Sequence, residues 1–316
     1  MSRRRSIPSP SFRPRLGVVA LTSLALVVTL PQSSAAAAPG SGSSTVRGSV
    51  AAAAGAVPGA VRAAESPYAA TPPAGITCRS AIYRKTTYRC VIGRSVAGRA
   101  IVARRQGNPA ASRVLLVNGQ MHGEEWPGPR SVKVVRGLSV PSDASYQIWT
   151  ISTINPDGDR IGRRRNNHGV DLNRNFPDAW APLWDAGPRA ASEPETRATM
   201  RFLTWTQPDL ILSLHGFSES VDTTGGGQRA AWARDFSRLS GIGPAMRVPC
   251  GAGPCHGNMT EWYSRVSTSG GVAITVEMPR SSARARSCSV PGRAPRATPI
   301  RCTAWAAKNI APRLPA

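Results

Sequence analysis

Residues 113–125 read "RVLLVNGQMHGEE", an aliphatic run that breaks at Gly119 and then delivers His122, Glu124 and Glu125. Val114 to Val117 show no polar alternation, so both faces of this strand need cover. Strands of that kind belong to α/β sheets with helices on either side, and in open sheets functional groups gather at the carboxyl ends of the strands. A lone His-x-x-Glu is weak evidence for a metal site. The decision rests on what the other strand ends deliver.

Four more runs rich in apolar and β-branched residues predict strands: "AIVARRQ" (100–106), "YQIWTIST" (146–153), "LILSLHG" (210–216) and "VAITVEMP" (272–279). Helical stretches alternate with them. "PRSVKVVRGL" follows the His122 loop, and "SEPETRATMRFLTW" (192–205) opens on Ser192 and Glu195 at capping-box spacing, with Pro194 in the first turn. "QRAAWARDFSRLSG" and "IRCTAWAAKNI" complete the set. The alternation predicts an α/β domain built on a mixed, largely parallel central β-sheet flanked by helices on both faces.

The first 38 residues read as a secretory signal: a basic head (Arg3, Arg4, Arg5, Arg13, Arg15), the apolar core "LGVVALTSLALVVTL" (16–30) and a small-residue cleavage region. The core is shorter than the roughly 20 apolar residues that a span needs. Residues 39–66, rich in Ala, Gly, Ser and Val, read as a disordered linker, which leaves 67–316 for one folded domain. Six cysteines fit an oxidising compartment, and local pairing predicts Cys78–Cys90, Cys250–Cys255 and Cys288–Cys302. The expected protein is exported and monomeric.

The formal charge is +23, yet of the 40 basic residues only Lys85, Lys133 and Lys308 are lysines, and the arginines are scattered. With the richness in Ala, Gly and Pro, this pattern points to GC-rich coding. No aromatic-interleaved basic stripe appears, so no nucleic-acid partner is expected, whereas electrostatic association with an anionic cell wall fits the charge.

Of four histidines, two follow buried-strand patterns: His122 after 113–119 and His215 at the end of 210–216. The run 272–279 delivers Glu277 in the same way. Two histidines and a carboxylate are the donor set of a zinc site that keeps a position open for water. Residues three apart share a face in a helical turn and residues two apart do not, so Glu125 rather than Glu124 is the ligand expected beside His122.

The chain resembles the zinc carboxypeptidases of the carboxypeptidase A type. The resemblance rests on "IGRSVAGRAI" (92–101), "MHGEEW", "INPDG" (154–158), "GRRRNNHGVDLNRNFPD" (162–178), "GPRAASEPET" (187–196), "LSLHG" (212–216) and "ITVEMP" (274–279), in the family's order. It implies one zinc ion per chain, held by His122, Glu125 and His215. Asp171 would hydrogen-bond the far side of His122. Glu277 would be the general base for the zinc-activated water, and Arg164 would stabilise the oxyanion. Asn173 and Arg174 would grip the free carboxylate of a peptide substrate, a task that suits a guanidinium fork.

The family's mobile tyrosine is missing from "CGAGPCHGNMTEWY". His256 stands as a substitute or the cap is absent, since Tyr263 falls too late in the segment. Thr260 aligns with the base of the pocket for the terminal side chain, with Glu261 beside it, which leaves specificity open. The resemblance implies hydrolysis of the C-terminal peptide bond of peptides and proteins. The alternative keeps the chemistry and takes a muropeptide, cutting a peptidoglycan stem between D-glutamate and diaminopimelate. An inactive binding relative would lack a ligand or Glu277, and all are present.

Overall fold

The computed structural model describes residues 71–83, 86–248, 255–280, 288 and 298–316. The expected signal segment and linker lie outside the described residues, as does Cys250. Among the described residues, nine strands form one sheet: β1 (Thr77–Tyr83), β2 (Thr86–Arg94), β3 (Ala100–Gly107), β4 (Arg113–Gly119), β5 (Tyr146–Ile151), β6 (Leu210–Gly216), β7 (Ser220–Asp222), β8 (Ala245–Met246) and β9 (Val272–Met278). Their order across the sheet is β1-β2-β3-β5-β4-β6-β9-β7-β8.

The middle four, β5, β4, β6 and β9, run parallel. On one flank β3, β2 and β1 add antiparallel pairs, and on the other β7 is antiparallel to β9. The expected parallel character thus belongs to the centre of the sheet. β1 and β2 escape the sequence pattern because arginine and threonine interrupt their apolar positions, and β7 and β8 because they are two or three residues long. A disulfide joins Cys78 to Cys90 across β1 and β2, directly opposite one another.

Successive side chains of the central strands enter opposite cores, as the two-residue period of a strand requires. Val114 and Leu116 join Trp149, Ile151 and Ile211 on one face, whereas Leu115 and Val117 join Ile148, Leu212 and Leu214 on the other. The first face is covered by α3 (Pro194–Thr206), through Phe202 and Leu203, and by α5 (Met259–Val266), through Trp262 and Tyr263. The second is covered by α1 (Pro127–Val135), α4 (Gly227–Ser240) and α6 (Pro299–Ile310). The short α2 (Pro156–Ile161) follows β5. Cys288–Cys302 ties the segment before α6 to that helix. Cys255 is also disulfide-bonded.

The α3 start departs from the expected box. Its N-cap is Glu193, with no side-chain cap, and Ser192 Oγ donates instead to Glu193. Glu195 accepts from Val96 N and from Asn166, so it is spent on tertiary contacts.

Candidate metal centre

β4 ends at Gly119, and the chain turns at Gln120, which holds a left-handed φ of 54°. Its own amide secures the turn, since Nε2 donates to Gly123 O and to Asp159 Oδ1, both at 2.8 Å. A Cβ on Gly123 would lie 2.1 Å from the carbonyl carbon of Gly158 and 2.4 Å from Arg163 O. Only glycine lets this loop press against 158–164, which is how Arg164 comes to lie beside Glu125.

The turn aims His122 and Glu125 at each other, with His122 Nδ1 2.7 Å from Glu125 Oε1. β6 brings His215 to the same point. Its Nδ1 is 3.3 Å from His122 Nδ1 and 3.2 Å from Glu125 Oε2. All three side chains are buried. The outer nitrogens are held from behind: His122 Nε2 is 3.1 Å from Asp171 Oδ1, and His215 Nε2 is 3.2 Å from Ser213 Oγ, which accepts from Asn118. An ionised Asp171 can only accept, so the proton of His122 belongs on Nε2 and Nδ1 is left as a lone pair.

This arrangement fits a cation. Three ligand atoms, N, N and O, lie within 4.8 Å of one another. Glu125 Oε2 is a buried oxygen that meets only the ring nitrogen of His215, 3.2 Å away, among the described residues, and no full hydrogen bond satisfies it. Such an orphan is costly unless a positive group answers it. Two histidines and one carboxylate are a zinc donor set. Glu124, by contrast, is turned to the half-exposed side, where Arg164 Nη1 lies 3.8 Å away.

Burial works against charge on Asp171, but His122, Arg164 and Arg174 outweigh it and hold the carboxyl far below the usual range. Arg164 Nε donates to Asp171 Oδ2 at 2.9 Å, while its Nη1 lies 4.0 Å from Glu125. Glu277, on β9, is the register partner of His215 and stands one strand away at the same level. Burial pushes its carboxyl up and the charge of Glu125 adds to that, against the two histidines and Arg164.

Asp171 also caps a single 3-10 turn, Leu172–Arg174, by accepting from Asn173 N at 2.8 Å. The carboxylate that holds His122 therefore starts the segment that carries Asn173 and Arg174. Asn173 Oδ1 accepts from Met259 N at the start of α5, which leaves its Nδ2 donors for another acceptor. Gly257, at φ +59°, lets the chain approach Arg174 O to a distance that a Cβ would reduce to 2.2 Å. Beside it, His256 Nδ1 donates to Ala179 O. Tyr263 is buried, with its hydroxyl donating to Pro208 O, so it takes no part as a cap.

Three participants were not foreseen from the sequence. Asn118 and Ser213 form the support behind His215. Ser213 could have been found, since it lies two residues before His215 on the same strand face. The third, Arg229 on α4, is 4% exposed and donates to Thr260 Oγ1 at 3.1 Å and to Glu261 Oε1 at 2.6 Å.

A family model described as zinc carboxypeptidase matches residues 80–242, a span that includes His122, Glu125, Arg164, Asp171, Asn173, Arg174 and His215 and ends before Glu277. Murein peptide amidase A of Escherichia coli strain K12 is 33% identical over 125 residues, 34% of this chain and 51% of that one. Carboxypeptidase B of Astacus astacus is 28% identical over 138 residues, 34% of this chain and 46% of that one. The chain spans about half the length of the curated relatives it matches. Among solved structures, murein-tripeptide amidase from Escherichia coli O157 superposes with a TM-score of 0.50 at 24% identity, covering 68% of this chain and 87% of the other. Carboxypeptidase A from Helicoverpa armigera gives 0.54 at 16% identity, covering 73% and 68%. These likenesses share the mixed sheet with its flanking helices.

Metal analysis of purified protein tests the ligand set. Glu125→Gln lowers the zinc content well below one per chain, whereas Glu124→Gln retains it. Equal loss in both variants removes the distinction between the two glutamates.

Proposed function

Since the chain belongs to the zinc carboxypeptidase family, we propose that it hydrolyses the peptide bond next to a free C-terminal carboxylate. The observation that carries this reading is the placement of Glu277 beside His215, level with His122 and Glu125, with Asn173 and Arg174 on the turn that Asp171 begins. His122, Glu125 and His215 would hold zinc, which when bound supplies a Lewis acid and makes water acidic near neutral pH.

Glu277 takes the proton of the attacking water and returns it to the leaving amine. Its raised proton affinity, from burial beside a second carboxylate, suits both halves of that task. Asp171 fixes the ring of His122, and Arg164, held by the same Asp171, places positive charge next to the reacting carbonyl. Arg174 and the free donors of Asn173 bind the terminal carboxylate. Because this anchor begins two residues after Asp171, its distance from the metal ligands is nearly fixed, and the enzyme cuts one residue inward from the chain end.

A second reading has its own support. Similarity to murein peptide amidase A favours a muropeptide substrate over an ordinary peptide. The basic charge and the signal-like residues 1–38 support export and adhesion to an anionic wall. N-terminal sequencing of protein recovered from the medium checks export: a start after residue 38 or close to it agrees, and an intact Met1 does not.

Glu277→Gln keeps its zinc and loses turnover by roughly 10²- to 10⁴-fold, the usual cost of removing a positioned base. Near-normal turnover by a zinc-loaded variant would take Glu277 out of the mechanism.

Amidating the substrate's terminus removes the partner of Arg174, and kcat/KM falls roughly 30- to several-thousand-fold. Arg174→Ala reproduces the loss on the free acid and adds little on the amide. Equal cleavage of free and amidated peptides would make the protein an endopeptidase.

A further inference from the structure

The stretch that joins Arg164 to Asp171 is a closed turn built around one amide side chain. Asn166 N donates to Val170 O at 2.9 Å, and Gly169 N donates to Asn166 O at 3.0 Å. Asn166 Oδ1 accepts from His168 N at 3.1 Å and from Val170 N at 3.0 Å. Its Nδ2 faces the other way and donates to Glu193 Oε2 at 2.8 Å and to Glu195 Oε2 at 3.2 Å. An amide offers two acceptor sites at one end and two donors at the other, and here all four are used. An ionised aspartate has the acceptors without the donors, and serine has one oxygen for both tasks.

The two glutamates lie out of water, with exposures of 2% for Glu193 and 0% for Glu195, and Asn166 has 5%. Burial pushes both carboxyls up. In Glu193 the bonds from Asn166, Ser192 and His168 overcome it and hold the carboxyl below its ordinary value. In Glu195 burial prevails over the bonds from Val96 and Asn166, and the charge of Glu193 adds to it. Two buried carboxylates side by side, held by neutral donors and one histidine, are a costly way to pin a turn. The turn they pin carries Arg164 at one end and Asp171 at the other. Asp171 has a tether of its own, since its N–H donates to Asp185 O at 2.8 Å. Arg164 O accepts from Gly123 N and Asn155 Nδ2, which grip the main chain from the His122 side, and the Asn166 turn supplies the opposite grip. Glu193 also reaches the carboxylate anchor, because its N–H donates to Asn175 Oδ1 at 3.1 Å and Asn175 follows Arg174.

We propose that Asn166, hung from Glu193 and Glu195, is a positioning residue for the reaction, and that it aims Arg164 at the carbonyl of the scissile bond. The inference rests on the carboxypeptidase reading above and adds to it a residue that acts through Arg164. Aspartate at position 166 sets a third carboxylate against the buried pair, so the turn swings away from α3 and takes Arg164 with it. A shift of about 1 Å at a reacting group costs on the order of 100-fold in rate. Asp171 and Asn175 keep their own bonds, so the support of His122 and the grip on the terminal carboxylate stay in place.

The test is a double-mutant cycle on the zinc-loaded full-length protein, with one peptide supplied as the free acid and as its C-terminal amide. Asn166→Asp keeps one zinc per chain and loses kcat/KM by roughly 10- to 100-fold, by the same factor on acid and amide. Combined with Arg164→Ala it adds little, and the double variant stays within about twofold of Arg164→Ala alone. A residue that acts through Arg164 has nothing left to act on once that side chain is gone. Should Asn166→Asp fail to fold, Asn166→Ser, which keeps one hydroxyl donor, goes through the same cycle with a smaller loss and the same pattern. Unchanged activity, losses that multiply in the double variant, a loss confined to the free acid, or loss of zinc each overturn the inference. Wild-type protein that cleaves acid and amide equally removes the carboxypeptidase reading, and the cycle still decides this one. Cleavage of neither overturns both.

Discussion

The centre depends on one constraint, the in-register parallel pairing of β4, β6 and β9. Gly119 lies opposite Leu214, and His215 opposite Glu277, so three strands end at one level. Each strand is fixed by the apolar faces that it shares with its neighbours, and a slip of one residue would turn those faces to the wrong side. His215 and Glu277 would then point into the core that holds Leu212 and Val276. Packing of aliphatic side chains thereby sets the positions of the polar ones.

Burying so much polarity above an apolar core requires that each group be answered. Asp171 answers His122, Arg164 and the N–H of Asn173 at once. Ser213 and Asn118 answer His215 from within the sheet. The oxygen left over, Glu125 Oε2, lies where the ligand atoms converge. Support from behind and an orphan in front are what a metal-binding pocket needs, since the ligands must be oriented before the ion arrives.

The central strands and the helices α1, α3, α4 and α6 were legible because their apolar patterns are long and local. His122, His215 and Glu277 stood out because they break such patterns at strand ends. The flanking strands were not legible: β1 and β2 gain their stability from pairing and a disulfide, and β7 and β8 are too short to carry a period. Ser192 and Glu195 had the spacing of a cap, but Asn166 and Val96, distant in sequence, claimed Glu195. Arg229 was one of many scattered arginines. Its burial comes from partners 31 and 32 residues away, which no local window contains.

Anomalous diffraction at the zinc edge, on crystals of the zinc-loaded protein, tests the central claim most directly. One peak per chain is expected, at about 2.0–2.2 Å from His122 Nδ1, His215 Nδ1 and a carboxylate oxygen of Glu125, with Asp171 still behind His122. A peak bound to other side chains, or ligation through His122 Nε2 with Asp171 turned away from that ring, would contradict it.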